Sequence, residues 1–198
     1  MRIWKNPEIH GNQILEETVG VAAKQVPMST EYHFSTELRT RLPETDAMGV
    51  VSHGYFFTYM DVGRMDYLRN LGLADSGASS PLPGPARPIR DFNNLVVRAA
   101  CNYRSPARFD DQLVIHVRIA SLGHTSFRFE FRIVHKRENR VVAEGESVHV
   151  AIDETTWRPA EVPSAFREIV RAFEGAALEE TWKPGDSADG NQGTGVEV

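Results

Sequence analysis

The chain has 198 residues, of which 41% are hydrophobic and 25% are charged, and these proportions favour one globular domain with a sizeable core. The formal net charge of -5 and the lack of any Lys/Arg block argue against a nucleic-acid partner. The single cysteine, Cys101, cannot form an internal disulfide, and no apolar run is long enough to span a bilayer. We therefore expect a cytoplasmic protein without a membrane partner.

The first regular elements are a strand and a helix. Residues Tyr32 to Leu42 alternate between apolar and polar side chains, the period of a half-buried strand. From His53 to Leu71, apolar side chains cover much of the helical circumference, which predicts a helix enclosed by other structure. Ser52 is the expected N-cap of this helix, and Gly72 suits the position after its end.

Four more strands follow the helix, each of suitable length and residue composition. They are predicted at Asn94 to Tyr103, Gln112 to Leu122, Thr125 to Lys136, and Val141 to Asp153. The connections between them are short, which favours antiparallel neighbours. The order of elements predicts an α+β domain in which one sheet wraps around one long central helix.

Three segments fall outside this predicted core. Residues 1–31 form an N-terminal extension, and the domain itself is expected at 32–174, ending with a helix capped by Ser164. Within it, residues 73–91 carry four prolines among Gly, Ala and Ser and predict a long loop. Residues 175–198 have the composition of a disordered acidic tail.

The turn from Arg41 to His53 carries the candidate chemistry. It places the Asp46 carboxylate and the His53 imidazole at the entrance of the predicted helix. Asp46 either faces a cleft and acts on water or a carbonyl group, or merely bonds nearby N–H groups in an Asx-turn. The His53 side chain is a donor, a ligand or a packed aromatic, whereas its backbone N–H can hold a developing oxyanion.

Other catalytic patterns are missing from the sequence. It contains no Gly-x-Ser-x-Gly elbow, His-Glu-x-x-His pair, phosphate-binding glycine loop or Cys-x-x-Cys. His116, His135 and His149 lie on predicted strands without metal-ligand spacing, so we assign them no role. We expect neither a metal nor a cofactor.

The turn and the segments after it resemble a known family. The residues that carry the resemblance are Arg41-x-x-Glu44-Thr45-Asp46-Ala47-Met48-Gly49-Val50-Val51-x-His53, Asp61-x-Gly63-Arg64-x-Asp66-Tyr67-Leu68-Arg69, Asn102-Tyr103-x-x-Pro106-Ala107-Arg108-Phe109-Asp110-Asp111 and Val142-Ala143-Glu144-Gly145. Over about Tyr32 to Asp153, the chain resembles the hot-dog fold acyl-CoA thioesterases of the 4-hydroxybenzoyl-CoA thioesterase family. The resemblance implies an antiparallel five- or six-stranded sheet around one helix, a coenzyme A thioester as substrate, and a homodimer or a homotetramer made of two dimers.

The resemblance also implies roles for individual residues. Asp46 matches the catalytic aspartate, which is a nucleophile in some members and a general base on water in others. His53 matches the helix-entrance residue whose N–H polarises the thioester carbonyl, with Gly49 and Gly54 in the same turn. The remaining implied roles are an acyl pocket at Val50, Tyr55 and Tyr59, bounded by the facing subunit, and coenzyme A phosphate contacts at Arg104 and Arg108.

The chain departs from the family pattern at the helix entrance. Ser52 replaces a common aromatic residue, and Tyr55-Phe56 replaces a common Asn-Tyr pair. Two alternatives therefore stay open beside the thioesterase. One is a non-catalytic acyl-CoA binding or regulatory protein, favoured by Tyr55 and the long loop, and the other is a hot-dog hydratase or dehydratase.

Overall fold

The computed structural model describes residues 32–74 and 92–182. Strand β1 (Phe34–Arg39) leads through a 3-10 turn (Leu42–Glu44) to helix α1 (Tyr55–Asn70). The predicted extension 1–31, residues 75–91 of the predicted loop and residues 183–198 of the predicted tail lie outside the described residues. Within the described ranges, no helix is long and apolar enough to cross a bilayer.

The remaining elements complete one sheet and add a second helix. They are β2 (Asn93–Tyr103), β3 (Gln112–Leu122), β4 (Ser126–His135), β5 (Arg140–Ile152), helix α2 (Ser164–Glu174), a 3-10 turn (Gly175–Ala177) and β6 (Glu179–Glu180). The strand order is β1-β3-β4-β5-β2, all antiparallel, with β6 pairing parallel to β3. This confirms the α+β prediction. Regular structure follows Glu174 directly, in the 3-10 turn and β6.

Alternation along the strands separates a core face from a polar face. On β4, Phe127, Phe129 and Phe131 are all buried in the core, because residues two apart on a strand share a face. On the opposite face, Glu130 forms an ion pair with Arg118 of β3 at 3.0 Å. Strand β4 therefore has one apolar face and one charged face.

Helix α1 lies close against the inner face of the sheet. A Cβ atom at Gly63 would come within 2.8 Å of the Ile115 Cγ2 atom and 2.9 Å of the Val117 Cγ2 atom. Only a residue without a side chain lets the helix approach β3 this closely. Two apolar residues of α1, Phe57 and Val62, are nevertheless 37% and 39% exposed, so the described chain does not enclose the helix completely.

The prediction that Ser52 caps α1 is wrong. The helix begins at Tyr55, and Gly54 is its N-cap with helical dihedral angles (φ -62, ψ -31). The Ser52 carbonyl accepts the Tyr55 N–H at 3.0 Å, and the His53 carbonyl accepts the Phe56 N–H at 3.3 Å. Both bonds join residues three apart, as in a 3-10 turn. This turn precedes α1, so the α-helix begins three residues after Ser52.

Helix α2 is held to the sheet by a buried arginine. Arg167 is 1% exposed, and its Nη2 atom donates to the carbonyls of Gly123 at 2.6 Å and His124 at 2.8 Å. Its Nε atom donates to the Val162 carbonyl at 3.0 Å. The charge is accommodated because these carbonyl dipoles replace water around it.

A short polar chain interrupts the apolar inner face. The Asn94 Oδ1 atom lies 3.0 Å from His149 Nδ1, and His149 Nε2 lies 2.9 Å from the Ser147 hydroxyl. Because a carbonyl oxygen only accepts, Nδ1 carries the proton and Nε2 accepts from Ser147. Burial, with a smaller contribution from Arg64, lowers the pKa of His149 to about 3.

The neutral His149 predicts a specific pH dependence of stability. The unfolded chain gains a proton near pH 6.5, and the folded chain only near pH 3. The contribution of neutral His149 to the free energy of unfolding is therefore complete above pH 6.5. It is lost as the pH falls below that value, by up to about 1.4 kcal/mol per pH unit. Urea unfolding across this range should show the stability difference between the natural chain and His149→Gln shrinking toward acid. A constant difference would contradict the assignment.

Candidate active site

The turn after β1 forms a small two-stranded ribbon. Thr45 pairs with Val51, and the Asp46 N–H donates to the Val50 carbonyl at 2.9 Å. The tip contains Gly49, whose φ of +72° lies in the left-handed region. Its N–H donates to the Asp46 carbonyl at 2.9 Å. Glycine is suited to this tip because a side chain would strain the backbone there.

Asp46 is exposed at this ribbon, and its two carboxylate oxygens differ. Oδ1 accepts the Met48 N–H at 2.8 Å and the Val50 N–H at 3.4 Å, which is the Asx-turn expected as the structural alternative. Oδ2 makes no hydrogen bond to any residue in the described ranges. Oδ1 therefore holds the turn, whereas Oδ2 has no partner among the described residues.

The helix entrance supplies two backbone donors. His53 and Gly54 are exposed, and neither N–H has an acceptor among the described residues. The His53 carbonyl is held separately, since the Tyr103 hydroxyl donates to it at 3.1 Å. Because these N–H groups lie at the positive end of α1, they can bind a carbonyl oxygen or a developing oxyanion.

The turn between β2 and β3 packs beside the ribbon and carries both predicted arginines. Val50 forms a bridge with Arg108, and the Val51 N–H donates to the Ala107 carbonyl at 2.8 Å. The Arg108 guanidinium makes no hydrogen bond within the described part of the chain. Arg104 is engaged, because its Nε atom donates to Glu144 at 3.0 Å. The two arginines thus differ in their freedom to bind an anion.

The three residues predicted to bound an acyl pocket lie in different environments. Val50 and Tyr55 are half-buried beside the helix entrance. Tyr59 is only 2% exposed, and its hydroxyl donates to Glu44 at 2.6 Å. An acyl pocket at these residues stays a prediction.

Glu44 lies in the candidate active site, although its position in the sequence predicted no role for it. It is 2% exposed, and its Oε2 atom accepts the Arg41 N–H at 2.7 Å as well as the Tyr59 hydroxyl. Burial by itself would raise the pKa of the Glu44 carboxyl, but the bonds from Tyr59 and Arg41 outweigh it and hold the pKa below its usual value. The spacing of Arg41 and Glu44, three residues apart, was the only sequence signal that the two could form a bond. A Glu directly after Pro43 would otherwise be expected as an exposed turn residue.

Metal-ligating side chains do not converge in this region. Over residues 32–74 and 92–182, no three His, Cys, Asp or Glu side chains come together in a group that could hold a metal ion. The described residues of this region offer an exposed carboxylate, Asp46, on the ribbon and two backbone donors, His53 and Gly54, at the helix entrance.

Comparison with known proteins identifies the fold and the relatives. A family model described as the thioesterase-like superfamily matches residues 40–170. The acyl-CoA thioester hydrolase YbgC of Escherichia coli is 28% identical over 133 residues, which cover 67% of this chain and 92% of that protein.

Solved structures agree with this similarity. A Thermus thermophilus thioesterase complexed with coenzyme A and Zn has a TM-score of 0.58 and 26% identity, covering 75% of this chain and 98% of that one. A 1,4-dihydroxy-2-naphthoyl-CoA thioesterase from Synechocystis has a TM-score of 0.59 at 21% identity, covering 69% of this chain and 94% of that one, which is a likeness of fold. The predicted hot-dog fold is confirmed by these likenesses.

Proposed function

Because the chain belongs to the thioesterase-like superfamily, we propose that it is an acyl-CoA thioesterase, which hydrolyses a coenzyme A thioester to the free acid and coenzyme A. The observation that carries the proposal is that one carboxylate oxygen of Asp46 and the N–H groups of His53 and Gly54 lie in one short segment and lack hydrogen-bond partners among the described residues. Acyl transfer needs both a nucleophile or base and a set of donors for the oxyanion. The name of the Escherichia coli relative supports the same reaction.

In the proposed mechanism, the thioester carbonyl oxygen binds the N–H groups of His53 and Gly54. The positive end of α1 polarises the carbonyl and stabilises the negative charge that develops on it. Asp46 Oδ2 then either attacks the carbonyl carbon, which gives an acyl-aspartyl anhydride that water later hydrolyses, or removes a proton from the attacking water. On either route the tetrahedral intermediate collapses by breaking the C–S bond, and coenzyme A leaves as a thiolate that takes a proton from solvent or, on the second route, from the Asp46 carboxyl. The Asx-turn at Oδ1 restricts the rotation of the carboxylate, which favours a constant direction of approach.

Binding of the substrate is proposed at the edges of this centre. Arg108, with its free guanidinium, is the stronger candidate for a coenzyme A phosphate, and Arg104 is the weaker one because Glu144 already neutralises it. Val50, Tyr55 and Tyr59 remain the candidates for the acyl pocket. A cytoplasmic location stays a prediction from the single cysteine.

The first test replaces Asp46 with Asn. The amide oxygen can still accept the Met48 N–H, so the Asx-turn and the fold should persist while the carboxylate charge is lost. Thiol release from a panel of short, long and aromatic acyl-CoA thioesters, measured with a thiol reagent, should fall by about 10²- to 10⁴-fold. Circular dichroism and melting temperature serve as the fold control.

The same panel separates the thioesterase from its alternatives. Unchanged turnover in Asp46→Asn contradicts the assigned role of the carboxylate. A natural chain that binds acyl-CoA without releasing thiol is a binding or regulatory protein. A change at the acyl double bond without thiol release identifies a hydratase or dehydratase.

The arginines provide a second, matched test. Arg108→Ala should raise KM for an acyl-CoA thioester by about tenfold with little change in kcat, because it removes an exposed charge-assisted contact to phosphate. Arg104→Ala should have a smaller effect, since Glu144 competes for that guanidinium. Steady-state kinetics with acyl-CoA and with the short acyl pantetheine thioester, which lacks the nucleotide phosphates, measure both. Equal KM values in all three proteins would contradict the assignment.

A homodimer is proposed from the exposed edge of β2. This strand of 11 residues pairs with β5 on one side, and its other edge has no partner among the described strands. Leu95, Val96 and Val97 on β2 are 43%, 52% and 60% exposed. An unpaired apolar edge of this length promotes association, and a second copy of β2 would continue the sheet. Whether two such dimers then form a tetramer stays open.

A charge at this edge tests the dimer. Val97→Arg should shift the molecular mass measured by light scattering toward the monomer, because an arginine at the joint would be desolvated without a partner. Thr156→Arg, on the exposed turn after β5, is the control and should leave the mass unchanged. A natural chain that is already monomeric would contradict the proposal.

A further inference from the structure

The Glu44 side chain and backbone connect three parts of the candidate active site. Its carboxylate accepts Arg41 at the start of the 3-10 turn and Tyr59 from the second turn of α1. Its backbone carbonyl accepts the Ser52 N–H at 2.9 Å, directly before the His53 donor. Glu44 therefore closes the base of the ribbon whose other end holds Asp46.

We propose that Glu44 is a positioning residue that sets the place of Asp46 relative to the N–H groups of His53 and Gly54, with Tyr59 as its anchor on α1. The inference rests on the proposed thioesterase function and deepens it. Glu44 touches neither the proposed substrate nor the reacting atoms. It acts through the ribbon that carries Asp46.

The anchor is effective because Tyr59 and the two donors belong to the same rigid element. His53 and Gly54 lead directly into α1, and Tyr59 lies one turn inside that helix. A carboxylate bonded to Tyr59 therefore locates the ribbon against the helix end that supplies the donors. Asp46 itself is exposed, so its own packing does not provide such a reference.

The bonds of Glu44 are difficult to release. Both Glu44 and Tyr59 are 2% exposed, so moving the carboxylate away would leave a buried hydroxyl without a partner. Arg41 adds charge on the other side, with its Nε atom 2.6 Å from Glu44 Oε1. The Glu44 carboxylate is therefore held by Tyr59 on one side and by Arg41 on the other. A reacting group can be positioned within a fraction of an ångström only by residues that are themselves held in this way.

A second buried carboxylate, which lies on α2 and bonds a different tyrosine of α1, offers a matched control. Glu174 is 1% exposed, and its Oε1 atom accepts the Tyr67 hydroxyl at 2.5 Å and the Ile119 N–H at 3.0 Å. It thus makes the same kind of bond to a tyrosine of α1, but from α2 and toward the far end of the helix. None of its hydrogen bonds within the described residues reaches the ribbon of Asp46.

The experiment compares Glu44→Gln and Tyr59→Phe with Glu174→Gln and Tyr67→Phe in the full chain. Melting temperature, kcat and KM for an acyl-CoA thioester are measured for each variant well below its melting temperature. The two site variants should lower kcat by about 10- to 100-fold with KM changed by less than about threefold, because misplacement of Asp46 affects the reaction step. The two control variants should lower the melting temperature and leave kcat unchanged.

The double variant Glu44→Gln with Tyr59→Phe tests whether the two residues act as one link. Its loss of kcat should be no larger than that of the more impaired single variant, because each change breaks the same connection. A loss equal to the product of the two single losses would overturn the role of Tyr59 as the anchor.

Two further results would overturn the role of Glu44 itself, and they have different consequences for the proposed function. If the natural chain releases thiol and Glu44→Gln matches Glu174→Gln in unchanged kcat, Glu44 is merely structural and the proposed function stands. If the natural chain releases no thiol from any member of the panel, the proposed function fails and this inference fails with it.

Discussion

The close approach of α1 to the sheet is the constraint on which the rest of the structure depends. Gly63 allows it, because any side chain there would collide with Ile115 and Val117. With the helix seated against β3, its N-terminus is placed beside the turn between β2 and β3, where the Tyr103 hydroxyl reaches the His53 carbonyl. The position of the two backbone donors therefore follows from packing within the core.

Polar groups fix both ends of this apolar helix, but in different electrostatic states. At the start, Arg41 and Tyr59 keep the Glu44 carboxylate charged despite burial, and its pKa stays below the usual value. Toward the far end, burial raises the pKa of Glu174, and the bonds from Tyr67 and Ile119 offset it only in part. The difference follows from the donors, since Glu44 accepts from the Tyr59 hydroxyl and from both the N–H and the guanidinium of Arg41, whereas the two bonds to Glu174 do not outweigh its burial. The bond between Glu44 and Tyr59 lies next to the candidate site, and the bond between Glu174 and Tyr67 holds α2 against α1.

Much of the fold could be predicted because its signals are local. The alternation of Phe127, Phe129 and Phe131 with charged residues identified β4, and Gly72 identified the end of α1. The start of α1 was misplaced because Ser52 is a good N-cap by composition, whereas the backbone bonds of the following turn determined the boundary. For the site, Asp46 and the His53 N–H were predicted, and the alternative Asx-turn at Asp46 is present as well. The catalytic role of Asp46 stays a proposal, and the Asx-turn is compatible with it because only Oδ1 accepts the N–H groups of the turn.

The sequence by itself determined the order of strands and helices and the turn that carries Asp46, because periodicity and turn residues act over a few positions. Only the tertiary structure decided that Glu44 is buried and that Tyr59 turns its hydroxyl toward it. It also decided that Arg104 is paired with Glu144, whereas the Arg108 guanidinium has no partner among the described residues. These facts depend on contacts between residues distant in the chain, such as Arg104 with Glu144. A charged residue is buried only where folding brings its partners to it. A local sequence pattern does not show which distant residues will be those partners.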